Sequence, residues 1–200
     1  MKHEVTTHNT KKLLADTLKK IMRSKPFSKI TVSEIIQECG VNRKTFYYHF
    51  QDIYDLLKWV FDEEAIQVVR HFDLLEDYEA AIRFVMDYIR ENDYIISCTH
   101  DSIGREEMKR FFYMDFIEII TSVINEAETQ AHISIEPEFK AYAAKFYTEA
   151  LAGMLIDWAK NNRKENPEQI VRFLTYLVSA AVESMQTQMN HPQNNKRPFG

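Results

Sequence analysis

Apolar residues recur along this chain at helical spacing. Leu14, Leu18, Ile21 and Met22 fall at i, i+4, i+7 and i+8, one stripe of a helix predicted from about Asn9 to Ser24, with Lys11, Lys12, Lys19 and Lys20 left for its other faces. Residues 1 to 8 precede the stripe and are expected to be mobile. Pro26 disfavours helix at Lys25, and Phe27 is placed to plug a small core. Leu56, Leu57, Val60, Phe61, Ile66 and Val69 predict a long connecting helix from about Asp52 to Phe72. At about 1.5 Å per residue it would span roughly 30 Å. Ile82, Val85, Met86 and Ile89 mark another helix from Asp77 to Arg90. Asn92 can cap a short helix, DYIISCT, and HDSIG (100–104) reads as a turn. A long amphipathic helix from Arg105 to Ala127 follows, carrying Phe111, Phe112, Tyr113 and Phe116.

Two further starts are well marked. Pro137 suits the first turn of a helix running to about Asn162, with Ala143, Phe146, Ala150, Gly153, Met154 and Trp158 along it. Asn166, Pro167 and Gln169 supply a cap, an N1 proline and an N3 glutamine for a final helix striped by Ile170, Leu174, Leu177, Val178, Ala181, Val182 and Met185. The pattern predicts an all-α chain of about nine helices.

Thr31 to Phe50, TVSEIIQECGVNRKTFYYHF, has a finer grain. Thr31 followed by Glu34 is a capping box, Ile35 and Ile36 give an inward face, and Gly40 can end the helix with positive φ. Asn42 can then cap a second short helix that directs Val41, Phe46 and Phe50 inward and offers Arg43, Lys44, Thr45, Tyr47 and Tyr48 outward. Two helices about a glycine turn are the helix-turn-helix plan, whose second helix enters the major groove.

Composition narrows the class. With 45% hydrophobic and 28% charged residues the chain reads as globular, and its four glycines and five prolines suit helices. No run of eighteen apolar residues and no signal-peptide core occur, so a cytoplasmic location is expected. Cys39 and Cys98 lack CxxC spacing, and both are expected to be reduced and partly buried. The net charge of −5 is unevenly spread: residues 1 to 60 hold eleven Lys and Arg against six Asp and Glu, giving +5, and the remainder holds fourteen against twenty-four, giving −10. A basic first third on an acidic body fits a protein that meets nucleic acid at one end. No HExxH, GxSxG or Gly-rich phosphate loop points to an enzyme, and no catalytic residue or cofactor is assigned.

Thr31-Val-x-x-Ile35, Gly40-Val41-Asn42, Thr45-Phe46-Tyr47 and His49-Phe50, between a preceding helix and a long following one, resemble the DNA-binding domain of TetR-type transcriptional regulators. The resemblance implies a DNA-binding domain over residues 9–60, a C-terminal helical domain over 61–189 for dimerisation and regulation, and a disordered tail over 190–200. It also implies a homodimer joined by the last two helices, binding a palindromic duplex operator, most often as a repressor. Carried over by position, Arg43, Lys44 and Thr45 reach base edges, Tyr47 and His49 grip phosphates, Thr31 holds a phosphate at its helix start, and Asn42 and Tyr48 lie in the same surface. Ile53 departs from the family, which commonly has a phosphate-pairing lysine there.

Such regulators commonly bind a small effector in the C-terminal domain. Tyr88, Tyr94, Cys98, His100, Phe112, Phe116, Tyr142 and Phe146 are the candidate lining. His71, Cys98 and His100 lack a second ligand pair, so no metal site is assigned. The segment FYTEALAGMLIDWAKNNRKENPEQI resembles the branch associated with dihydroxyacetone-kinase operons, where effector sensing can run through a partner protein. The competing readings are an activator working with such a partner and a helical adaptor that binds only proteins.

Overall fold

In the computed structural model, which describes residues 2–132, 134–161 and 166–190, Thr10 Oγ1 donates to the Thr6 carbonyl at 2.9 Å within the first helix, α1 (Lys2–Met22). This helix starts well before the predicted Asn9, so the mobile segment expected up to residue 8 is helical from Lys2. Its early turns are held from a distance: the His8 ring meets Trp59 edge-on at 5.9 Å, and His8 Nε2 lies 3.5 Å from the Glu63 carboxylate. A single 3₁₀ turn, Phe27–Lys29, buries Phe27 completely and leads to α2 (Val32–Cys39) and α3 (Arg43–His49).

Helix α4 (Ile53–Phe61) continues through a π-helical turn, Asp62–Ile66, and ends with Gln67–Val69. It stops short of the predicted Phe72, since after Val69 the chain turns, the Phe72 N–H donating to the Val69 carbonyl at 3.2 Å, and the Asp73 carboxylate then accepts from the Leu75 N–H at 3.1 Å in an Asx-type turn. Helix α5 (Tyr78–Glu91) follows as expected. In α6 (Asp93–Ala131) only Gly104, at φ 80° and ψ 169°, leaves helical geometry, a region closed to residues with a Cβ. The predicted turn over 100–104 therefore shrinks to one glycine. Helices α7 (Pro137–Asn161) and α8 (Pro167–Asn190) begin at the predicted prolines. No strand occurs among the described residues, and the fold is all-α. The side chains of Ala181, Val182 and Met185 and the tail residues 191–200 lie outside the described residues.

Two compact units divide these elements. The first holds the chain up to Val68 together with Tyr88–Phe111; the second holds Val69–Asp87 and the chain from Phe112 onward. Residues 88–111, which the sequence assigns to the C-terminal domain, thus cluster with the N-terminal unit. In the first unit Leu14, Leu18, Phe27, Ile35, Phe46, Leu56, Leu57 and Val60 are fully buried. Polar contacts tie residues 88–102 to the rest of that unit. The Phe27 N–H donates to Cys98 Sγ at 3.1 Å, the Ser28 N–H donates to Ser102 Oγ at 3.2 Å, the Arg23 guanidinium lies 4.1 Å from the Tyr94 ring, and Tyr88 Oη donates to Glu64 at 3.2 Å. In the second unit Ile124, Ala143 and Ala144 form a buried cluster with Ile117, Ile120, Ile135 and Tyr147 against it. Lys140 Nζ pairs with Glu128 at 2.7 Å, and Arg83 pairs with Glu168 at 2.8 Å.

Candidate nucleic-acid interface

The turn between α2 and α3 is specified locally. Thr31 Oγ1 accepts from the Glu34 N–H at 3.3 Å, while Glu34 Oε2 accepts from the Thr31 N–H at 2.9 Å. Lys25 pairs with the same carboxylate and, ahead of Thr31, holds the Glu34 carboxyl below its ordinary range. Gly40 closes α2 at φ 73°, its N–H donating to the Ile36 carbonyl at 3.0 Å. Asn42 Oδ1 accepts from the Thr45 N–H at 2.8 Å and the Thr45 hydroxyl at 3.1 Å, which starts α3. Replacing Thr31 by alanine is expected to lower stability by about 1 kcal/mol. Thermal unfolding measures it, and Thr31→Ser should restore most of the loss.

Phe46 is fully buried, which fixes the roll of α3 and sends its neighbours outward. Arg43 and Lys44 are exposed, Tyr47 is 50% exposed and Tyr48 70%. The Arg43 guanidinium donates to Ser33 Oγ, so α2 steadies the side chain at the first turn of α3. Thr45 has committed its hydroxyl to Asn42, which leaves its methyl as the group suited to a thymine methyl. Asn42 is likewise the cap, with its amide donors left over. His49 is partly exposed; burial, then the charge of Lys11, hold its imidazole below the ordinary value. One exposed surface therefore gathers cations at the start of α3 and aromatic donors along it. Ser33 and Lys11 are the residues the sequence pattern did not single out, because both contacts cross between helices.

The expected effector lining is divided between the two units. Tyr88, Tyr94, Cys98 and His100 belong to the first unit, whereas Phe112, Phe116, Tyr142 and Phe146 belong to the second. Tyr142 and Phe146 are 71% and 60% exposed on α7. Tyr94, Cys98 and Tyr88 instead serve as anchors, through Arg23, Phe27 and Glu64 respectively. Burial, followed by the charge of Glu64, pushes the Tyr88 hydroxyl far up, so it is a neutral donor. Burial likewise pushes the Cys98 thiol up. A cavity of about 900 Å³ opens elsewhere in the second unit, between the Arg70–Leu75 loop and the Ile117–Glu126 stretch of α6, and none of the eight residues lines it. Among the described residues no cluster of three metal-ligating side chains occurs, and no helix is long and apolar enough to cross a membrane.

Residues 14–60 match the family described as bacterial regulatory proteins, tetR family, and residues 76–180 match the transcriptional regulator C-terminal region. The chain belongs to the TetR family of bacterial transcriptional regulators. A curated relative, the HTH-type dhaKLM operon transcriptional activator DhaS of Lactococcus lactis subsp. lactis (strain IL1403), is 21% identical over 145 residues, covering 72% of this chain and 76% of that protein. Among solved structures, the dihydroxyacetone kinase operon activator DhaS superposes with a TM-score of 0.66 at 21% identity, over 87% of this chain and 96% of that one. The fatty acid degradation regulator FadR from Bacillus halodurans gives a TM-score of 0.53 at 12% identity, over 90% and 93% of the two chains. These likenesses establish the shared fold.

The start of α4 carries no cation. Ile53 is its first residue and brings no charge, and the Asp52 carboxylate takes the Tyr54 and Asp55 N–H groups at 2.8 and 2.9 Å. Replacing Ile53 by lysine is expected to steepen the fall of log K with log salt by roughly 0.9 for each phosphate newly neutralised. A titration of a duplex at several salt concentrations measures the slope.

Proposed function

We propose that this regulator binds a two-fold symmetric DNA operator as a homodimer, and that an effector or a partner protein acting on its C-terminal unit controls that binding. The observation that carries the reading is the capped α2–Gly40–α3 unit, in which Phe46 is buried while Arg43, Lys44, Tyr47 and Tyr48 face outward. Arg43 and Lys44 donate to guanine edges and Thr45 packs on a thymine methyl, while Thr31, Asn42, Tyr47, Tyr48 and His49 hold the backbone. The exposed apolar side chains of α7 and α8 join the two copies. The groove beside Arg70, His71 and Ser122 supports regulation from the C-terminal unit, since its volume of about 900 Å³ suits a small organic ligand.

Such a protein works in the cytoplasm, where it represses by occupying promoter DNA. Activation is the second reading, favoured by the curated relative, which is named as a transcriptional activator. Selection of bound sites from a random duplex library tests the main reading. The expected product is an inverted repeat whose half-sites are about one helical turn apart or a multiple of it, bound by two chains. Enrichment of no sequence, or of a single asymmetric site by one chain, would overturn it.

A further inference from the structure

We propose that Lys11 on α1, together with His49 at the end of α3, forms a subsite for a DNA backbone phosphate. The inference rests on α3 being the recognition helix and adds a contact from α1.

Three observations converge on this spot. First, Lys11 is positioned. Its Nζ lies 5.6 Å from the centre of the Phe50 ring and 5.8 Å from that of Trp59, and the side chain is partly buried. Two aromatic faces hold the cation in place before any ligand arrives, so less rotamer entropy remains to be lost on binding.

Second, the spot holds positive charge without an anion. Lys19, Lys20 and Lys25 are paired with Glu64, Glu38 and Glu34, whereas Lys11 has no carboxylate partner among the described residues. The neighbouring Glu63 faces His8 at 3.5 Å. The His49 ring centre lies 6.4 Å from that of Phe50, the ring that Lys11 Nζ faces at 5.6 Å, and the charge of Lys11 disfavours protonation of the imidazole. An anion received between the two is attracted by the ammonium and removes that repulsion.

Third, the backbone N–H groups at the start of α4 are already taken. At the start of α4 the Asp52 carboxylate already occupies two backbone N–H groups, and Asp55 Oδ2 accepts the Gln51 N–H at 2.9 Å. Those amides cannot be given to a phosphate without displacing carboxylates, and the carboxylates themselves repel one. The front of α4 thus lacks a cation, which Lys11 supplies on the α1 side of α3.

The test compares full-length wild type with Lys11→Met, Lys11→Arg and Lys12→Met, on the duplex obtained by site selection and on a random-sequence duplex. Lys11→Met keeps an apolar stem against Phe50 and Trp59 and removes only the charge; Lys11→Gln provides the same readout if the methionine variant melts early. The slope of log K against log salt should become shallower by roughly 0.9 per lost contact, or about 1.8 for a two-chain complex. The change should appear on both duplexes, because phosphates are common to them. Affinity should fall roughly ten-fold or more, Lys11→Arg should restore the slope, and Lys12→Met should leave it unchanged. A wild-type slope in Lys11→Met overturns the proposal while leaving the recognition helix intact. A wild-type protein that binds both duplexes alike overturns the recognition-helix reading, and the subsite with it.

Discussion

Replacing Arg43 and Lys44 together by alanine is expected to reduce binding of the selected operator to the level of random DNA, with little change in the melting temperature of the protein. Both side chains are exposed on the first turn of α3, and the one contact shown for Arg43 within the fold is to the Ser33 hydroxyl. Surface substitutions of this kind usually change stability by no more than about 0.5 kcal/mol. On DNA the balance is different. A well-formed contact from Arg or Lys to a guanine edge discriminates by about 1 to 3 kcal/mol. A symmetric complex loses each contact twice, so the two substitutions remove an amount comparable with the whole gap of about 4 to 10 kcal/mol between specific and non-specific binding. Fluorescence anisotropy against the selected and a scrambled duplex measures both terms, and circular dichroism follows the fold. A double variant that still prefers the selected duplex by a wide margin would show that α3 does not read the bases.

The parts of this interface that were legible in the sequence are those whose physics is local. Thr31 and Glu34 are three residues apart, as are Asn42 and Thr45, and Gly40 sits where the backbone must turn left-handed. Each of these features is a statement about one short peptide, and periodicity supplied the inward-facing Phe46. Contacts between distant segments left no such mark. The early turns of α1 rest on Trp59 and Glu63, and the placement of Lys11 rests on Phe50 and Trp59. A lysine in a polar stretch looks the same whether it trails in solvent or lies across two rings.

The effector lining was hard to read for a related reason. Aromatic and polar residues at helical spacing are equally suited to lining a pocket and to bolting elements together, and Tyr88, Tyr94 and Cys98 do the second. The groove in the second unit joins a loop that holds the Asp73 turn to a helix more than forty residues later, a juxtaposition that no periodicity encodes. The break in α6 falls between these cases. Its glycine was legible, but the polar run before Gly104 suggested a wider turn than a single residue in an extended left-handed conformation needs.

A charge placed on the apolar outer face of α7 or α8 is expected to separate the two copies and, through that, to cost most of the operator affinity. Phe139, Tyr142 and Phe146 are 60%, 71% and 60% exposed at i, i+3 and i+7 of one ridge of α7. On α8, Phe173, Tyr176 and Leu177 are 44%, 62% and 59% exposed at i, i+3 and i+4. The opposite sides of the same helices are spent within the chain, where Ala144, Thr148, Ala152, Ile156, Val171 and Leu174 are buried. Since the inward faces already satisfy the fold, Phe146→Asp and Leu177→Asp leave a single chain close to its original stability. In a dimer each places two unpaired carboxylates in apolar surroundings, a cost of several kcal/mol that weakens association by about a thousand-fold or more. The operator then meets one half-site at a time. Without the second recognition helix held at a fixed spacing, the gain in affinity from linkage, on the order of 10² to 10⁴, disappears. Sedimentation velocity should show a single chain for the double variant, and anisotropy should show operator binding weakened to match. A double variant that still sediments as a dimer would place the interface on another face and remove α7 and α8 from the account.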